Sequence, residues 1–242
     1  MKREAYVVVA RWPLDRLTCT GKLTRCISCG TYDHMGIYFP NCNDREVELH
    51  SGKDVAHDSA RHGTNDVTFD FLSCKLPRFQ SARNLKYWSE DCTIHIFPIK
   101  NVSFEALHAL CIDVARENPY NNSLFRCNRL LFCGCLPFHL FSSSSKIVGQ
   151  SHCAALSVRI IAAARSGTTS PLYDDDEACA VLGIDNVGFC QKRLLTAYSP
   201  GQLLNLMKNP SMPGRTSVLG FRRDGFLHQH KNVLPRINIA LS

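Results

Sequence analysis

The amino-acid sequence predicts an α+β fold, in which an antiparallel sheet packs against a largely buried helix. Two stretches carry this prediction. Residues 32–51 alternate as the two strands of a β-hairpin that has one apolar face. Residues 153–164 are mostly small or apolar, which is typical of a helix buried on most sides. A chain of 242 residues is long enough to build such a core.

Short apolar stretches rich in β-branched and aromatic residues predict the strands of the sheet. They cover residues 5–11, 32–39, 45–51, 67–72 and 93–99. In the hairpin, a loop at 40–44 would bring His34 opposite His50. Because strand side chains alternate, four polar residues would then share one face. These are His34, Glu46, Glu48 and His50.

Start signals and apolar periodicity predict the helices. The most regular stripe lies in residues 101–117, where Ser103 can act as the N-cap. An acidic first turn predicts a helix that reaches Leu182. Ser199 followed by proline predicts a short helix over 199–207. We assign residues 1–208 to one packed domain and 209–242 to a Pro-, Gly- and Arg-rich tail.

Thirteen cysteines are scattered along the chain without a dense framework. The first apolar stretch is a short valine-rich strand and does not resemble an export signal. We therefore expect mostly free thiols and an intracellular location. Cys26 and Cys29 have a zinc-knuckle spacing, but no second pair matches them. We expect no metal and no other cofactor.

Charge and hydropathy bound the partners of the protein. The formal net charge of +7 is spread along the chain, so that nucleic-acid binding is not indicated. No run of 18 apolar residues occurs, so we expect no membrane span.

Cys153 is the candidate nucleophile. It begins the apolar helix, and Ser151 can cap the free backbone N–H groups there. The positive end of a helix dipole lowers a thiol pKa and favours the nucleophilic thiolate. The alternative is that Cys153 is a small core residue. Gln150 is a candidate donor to an oxyanion, beside the backbone N–H of Cys153.

Three motifs, in this order, are similar to those of the permuted papain-like hydrolases of the NlpC type. That group includes YiiX-like proteins, relatives of lecithin retinol acyltransferase and a poxvirus member. The motifs are His34-Met35-Gly36-Ile37-Tyr38, Asn118-Pro119-Tyr120-Asn121 and Ser151-His152-Cys153-Ala154-Ala155-Leu156. The resemblance covers about residues 5 to 165 of the sequence. The histidine precedes the cysteine, the reverse of the usual papain-like order, as a circular permutation would produce.

The resemblance implies a circularly permuted papain-like catalytic domain with a Cys-His-polar triad. Cys153 would attack, His34 would move the proton, and Glu48 or His50 would orient the imidazole. Ala154 departs from the family, in which many members have serine at this position. The acyltransferase signature Asn-Cys-Glu-His is absent, which argues against lipid acyl transfer.

Three classes of function follow. The first is a cysteine peptidase, isopeptidase or amidase that acts through an acyl-enzyme, with a protein or peptide substrate and ubiquitin-like conjugates among the candidates. The second is an inactive papain-like fold that serves as a viral structural or host-protein-binding module. A zinc-stabilised binding protein that uses Cys26 and Cys29 is a third alternative. In the first class, Cys153 would be the most reactive of the thirteen thiols, because no other cysteine is predicted to combine a helix start with a histidine at a strand end.

Overall fold

A five-stranded antiparallel sheet organises the part of the chain that the structure, a computed structural model, describes. The described residues are 3–17, 19, 22, 25–26, 31–40, 42, 67–70, 78–81, 93–117, 153–172, 174–184, 195, 198–209 and 217–221. The strands are β1 (Tyr6–Arg11), β2 (His34–Phe39), β3 (Val67–Asp70), β4 (Arg78–Ser81) and β5 (Thr93–Pro98). Their order in the sheet is β4-β3-β2-β1-β5.

Four helices whose bounds are described accompany the sheet. They are α1 (Phe104–Glu117), α2 (Cys153–Ser166), α3 (Asp175–Leu182) and α4 (Pro200–Lys208). A short 3-10 helix, Leu14–Arg16, follows β1. Helices and an antiparallel sheet together confirm the predicted α+β class. Of the five described strands, only β4 lacks a counterpart in the prediction.

The sheet is buried on both faces, and the two faces differ in what packs against them. One face, here called the helical face, joins α1 and α2 in a single apolar core. It includes Val7, Val9, Met35, Ile37, Phe39 and Phe69. The opposite face, here called the second face, is also buried but contributes nothing to that core. It includes Tyr6, Val8, Ala10, His34, Tyr38 and Thr68.

The predicted hairpin register is wrong. Strand β2 has β1 on one side and β3 on the other, and Phe39 is paired with Val67 rather than with residue 45. Tyr38 is paired with Thr68, which is buried. The predicted register would have put Glu46 there, and burying an unpaired carboxylate is costly. Residues 45–51 themselves lie outside the described residues.

The predicted helix starts are confirmed by their caps. The Ser103 hydroxyl accepts a hydrogen bond from the Ala106 N–H at 3.3 Å, at the start of α1. Asp174 caps α3 through the N–H groups of Asp176 and Glu177. At α4, Ser199 and Gln202 form a reciprocal capping box.

Two glycines serve particular needs of this architecture. Gly183 ends α3 in the left-handed region, with φ of 70°. Gly201 lies in the first turn of α4, where an added Cβ would come within 2.6 Å of the Thr31 hydroxyl oxygen. The absence of a side chain therefore lets α4 approach the segment that leads into β2.

Part of the predicted tail belongs to the packed structure. Leu219 bridges to Ile99 just beyond β5, and the Gly220 N–H donates to the Pro98 carbonyl at 2.8 Å. Val218 and Leu219 are buried. The packed domain therefore extends beyond the predicted boundary at residue 208, because these apolar residues complete the edge next to β5.

Candidate functional site

Cys153 begins α2 and is partly exposed. The next eleven residues, 154–164, are all buried, so that the thiol lies where the helix emerges from the core. Because the first turn of α2 holds no acidic side chain, no carboxylate in that turn would repel a thiolate. The buried Ser157 hydroxyl donates to the Cys153 carbonyl at 2.9 Å. The Cys153 thiol therefore lies at the N-terminus of a helix that is firmly held in the core.

His34 is the first residue of β2 and is buried. Its strand partner is Ala10, which puts the imidazole on the second face of the sheet. An edge-to-face contact joins its ring to Trp12, with 6.2 Å between ring centroids. Helix α2 packs on the helical face. The strand register thus directs His34 away from the face that α2 covers.

A network of hydrogen bonds holds the chain just before His34. The Arg25 Nε donates to Asp33 Oδ1 at 2.9 Å, and its Nη2 contacts the other carboxylate oxygen. The same Nη2 donates to the Trp12 carbonyl at 2.6 Å. The Trp12 N–H donates back to Asp33 at 3.0 Å. These bonds fix both the entry into β2 and the position of the Trp12 ring that contacts His34.

The other predicted site residues lie outside the described residues. They are Glu48, His50 and Gln150. The expectation that Glu48 and His50 share a face with His34 depended on the hairpin register. Because β3 occupies that side of β2 at residues 37–39, this support is removed.

A second histidine lies on the helical face, and the sequence reasoning missed it. His95 on β5 is paired with Val9, which belongs to the core beneath α2. Its Nδ1 lies 2.5 Å from the Tyr32 phenolic oxygen. Both side chains are partly exposed. An imidazole held by a phenol on the same face as α2 has the chemistry of an oriented general base. The alternation of 93–99 places His95 on a sheet face, but it does not indicate which face.

A third feature was also missed, namely a buried thiol-imidazole pair. The Cys42 Sγ lies 3.1 Å from the His108 Nε2, and both side chains are buried. A cysteine outside the predicted site therefore also has a histidine neighbour. The two residues are 66 positions apart, so that no local spacing connects them. One signal was available, because His108 lies on the apolar stripe of α1.

Cys111 lies one helical turn after His108 and is fully buried. Burial raises the pKa of the Cys111 thiol well above its ordinary value, and the nearby Cys42 raises this pKa further. The buried thiol is therefore held in its protonated, weakly nucleophilic form at neutral pH.

Within the described part of the chain, no three His, Cys, Asp or Glu side chains are arranged to hold a metal ion. Cys26 is exposed, and Cys29 lies outside the described residues. Among the described residues, no helix has the length and apolarity that crossing a membrane requires.

Comparison with known proteins gives no match: no family model fits the chain, and neither curated proteins nor solved structures show significant similarity to it.

Proposed function

We propose that this protein is a cysteine hydrolase that forms an acyl-enzyme on Cys153. The observation that carries the proposal is a partly exposed thiol at the first position of a helix whose next eleven residues are buried. The positive end of the helix dipole at a helix start favours a thiolate. Cys42 is less suited to substrate attack, because it is buried beneath the surface.

In the proposed reaction, the Cys153 thiolate attacks the carbonyl carbon of an amide, ester or thioester. Negative charge develops on the carbonyl oxygen, and backbone N–H groups of the first helical turn stabilise it. Gln150 is the predicted side-chain donor to the same oxygen. A histidine then protonates the leaving amine, alcohol or thiol, and water hydrolyses the resulting thioester on Cys153. The substrate class we favour is a protein or peptide, which makes the enzyme a peptidase, isopeptidase or amidase on a permuted papain-like fold.

Two histidines are candidates for the base. His34 is the residue implied by the resemblance to the NlpC-type enzymes, and it begins the strand β2 against which α2 packs. His95 has in its favour the helical face and the Tyr32 hydroxyl that orients its ring. Glu48 and His50 stay the predicted partners of His34.

The test is the capture of the acyl-enzyme. We expect p-nitrophenyl acetate to add one acetyl group to the wild-type protein, and peptide mapping to find it on Cys153. Cys153→Ala should lose the adduct, whereas the matched variant Cys179→Ala, at a buried cysteine of α3, should keep it. Acetylation of the folded Cys153→Ala variant at the wild-type rate would contradict the proposal.

The base is identified by comparing His34→Gln with His95→Gln in the same assay. Loss of a general base slows such chemistry by about 10²-fold or more, so only the true base variant should show that loss. If His34 is the base, replacing Glu48 or His50 singly with alanine should slow one variant and leave the other near normal. If neither histidine variant is slowed, the triad reading is wrong.

The second candidate is a catalytically inactive papain-like fold that acts as a viral structural or host-protein-binding module. The observation in its favour is the register of β2, which directs His34 away from α2. In that case the purified protein would not acylate on Cys153, although it remained folded.

A further inference from the structure

The cluster formed by Cys42, His108 and Cys111 has no role in the proposed hydrolysis, and it has the composition of a redox site. Cys42 directly follows the β2 region, and the other two residues lie on α1. All three side chains are buried. The imidazole Nε2 lies 3.1 Å from the Cys42 sulfur, within reach for proton transfer.

Aromatic rings surround the buried His108. Three phenylalanine rings enclose the imidazole, with centroid separations of 5.3 Å to Phe39, 5.4 Å to Phe79 and 5.9 Å to Phe104. The faces of aromatic rings attract cations, so they offset part of the cost of an imidazolium inside the protein. When His108 holds the proton, Cys42 is left as a thiolate, which is the form that oxidants attack.

Cys111 is positioned to be the second thiol. It lies three residues after His108 on α1, and side chains at this spacing are neighbours on one helix face. The influence of Cys42 on the pKa of Cys111 is consistent with their proximity. The two thiols therefore lie on different segments of the chain, and the same imidazole lies close to both.

We propose that Cys42 and Cys111 are a peroxide-sensitive thiol pair that closes to a disulfide, with His108 as the base for Cys42. The Cys42 proton passes to His108, and the thiolate attacks one oxygen of hydrogen peroxide. The O–O bond breaks, which leaves a sulfenic acid on Cys42, and the released hydroxide takes up a proton to become water. His108, neutral again after giving its proton to the hydroxide, then accepts the Cys111 proton. The Cys111 thiolate attacks the Cys42 sulfur, and the sulfenic oxygen leaves as water with that proton. Two thiols are oxidised by two electrons, and one peroxide is reduced to two waters.

The bond would covalently link the end of β2 to α1. This link is independent of acylation on Cys153, so that either proposal can fail without the other. The experiment treats the full-length protein with hydrogen peroxide, blocks the remaining thiols and maps the peptides without reduction. The expected result is a linked peptide pair that contains Cys42 and Cys111, in a protein lighter by two hydrogen atoms.

Matched variants separate the roles of the three residues. Cys42→Ser and Cys111→Ser should each abolish the linked pair, whereas Cys179→Ser, at a buried cysteine of α3, should keep it. His108→Gln should slow its formation about tenfold or more, since each unit of thiol pKa changes the thiolate fraction about tenfold. Wild-type protein that reacts with peroxide without forming this pair overturns the proposal, and this readout needs no variant to fold. An unchanged rate in folded His108→Gln overturns the role of the histidine.

Discussion

At the scale of single residues, access to solvent and an identified histidine partner distinguish the cysteines. Cys153 is partly exposed at a helix start, whereas Cys42 has an imidazole at 3.1 Å but is buried. A nucleophile for large substrates requires an accessible thiol, and a thiol that reacts with peroxide requires a base that yields its thiolate. The two cysteines are therefore assigned different chemistry, although both belong to the same core region.

The contribution of Glu105 to stability is predicted to depend on pH. Its pKa is lowered, first by its own backbone N–H and then by the Ser103 hydroxyl, which donates to it at 2.9 Å. A carboxyl whose folded pKa lies below its unfolded value contributes stability above the unfolded pKa of about 4.3. That contribution is lost as pH falls through the lower, folded pKa. Glu105→Gln should therefore lower Tm at about pH 7 and have less effect at about pH 3.

Two controls test whether the charge of Glu105 causes the effect on Tm: added salt, and replacement of Ser103. Glu105 is fully exposed, so added salt should reduce the difference between wild type and variant. Ser103→Ala should raise the Glu105 pKa in an NMR titration, because it removes one of the two bonds. An equal drop in Tm at both pH values would show that charge is not the cause.

At the scale of secondary-structure elements, a buried ion pair joins α2 to α3. Arg159 donates to Asp175 Oδ1 from Nε at 3.0 Å and from Nη2 at 2.6 Å. The other carboxylate oxygen accepts the Leu195 N–H at 3.0 Å. Helix α3 is thus tied to the helix that begins with Cys153, and the pair helps to hold α2 against its neighbour.

Removing one partner of this pair should be costly. Asp175→Ala removes the carboxylate to which the buried Arg159 guanidinium and the Leu195 N–H donate, and we expect a loss of about 3–5 kcal/mol in the free energy of unfolding. The matched control is Asp113→Ala, whose salt bridge to Arg116 is exposed, with an expected change of about 0–1 kcal/mol. Chemical denaturation measures both. Equal losses in the two variants would mean that Asp175 has no special structural role.

The helices were more predictable than the strand pairing, for physical reasons. Caps are local, so serine at 103 and 199 indicated helix starts that the hydrogen bonds confirm. The pairing of Phe39 with Val67 joins distant segments, and alternation alone does not identify a partner strand. The cost of burying Glu46 beside Tyr38 became evident only once the structure showed that this face of the sheet is buried.

At the scale of the whole molecule, the sheet separates two buried regions. Alternation in β2 correctly predicted the apolar set of Met35, Ile37 and Phe39, which faces α2. It could not predict that the other face is also buried, because His34 and Thr68 are polar. The Cys42–His108 and Tyr32–His95 pairs likewise depend on how distant segments meet. The class of fold was therefore predictable, whereas the partners of the histidines were not.

The central claim is that Cys153 is an activated nucleophile, and competitive alkylation tests it most directly. Limiting iodoacetamide at about pH 6, well below the ordinary thiol pKa of about 8.5, labels only thiols that are both accessible and largely ionised. Peptide mapping then ranks the cysteines by rate. We predict that Cys153 is labelled first, ahead of the buried Cys111 and Cys179 and the exposed Cys19 and Cys26. Labelling of Cys153 no faster than that of Cys19 or Cys26 would contradict the account and favour the inactive binding module.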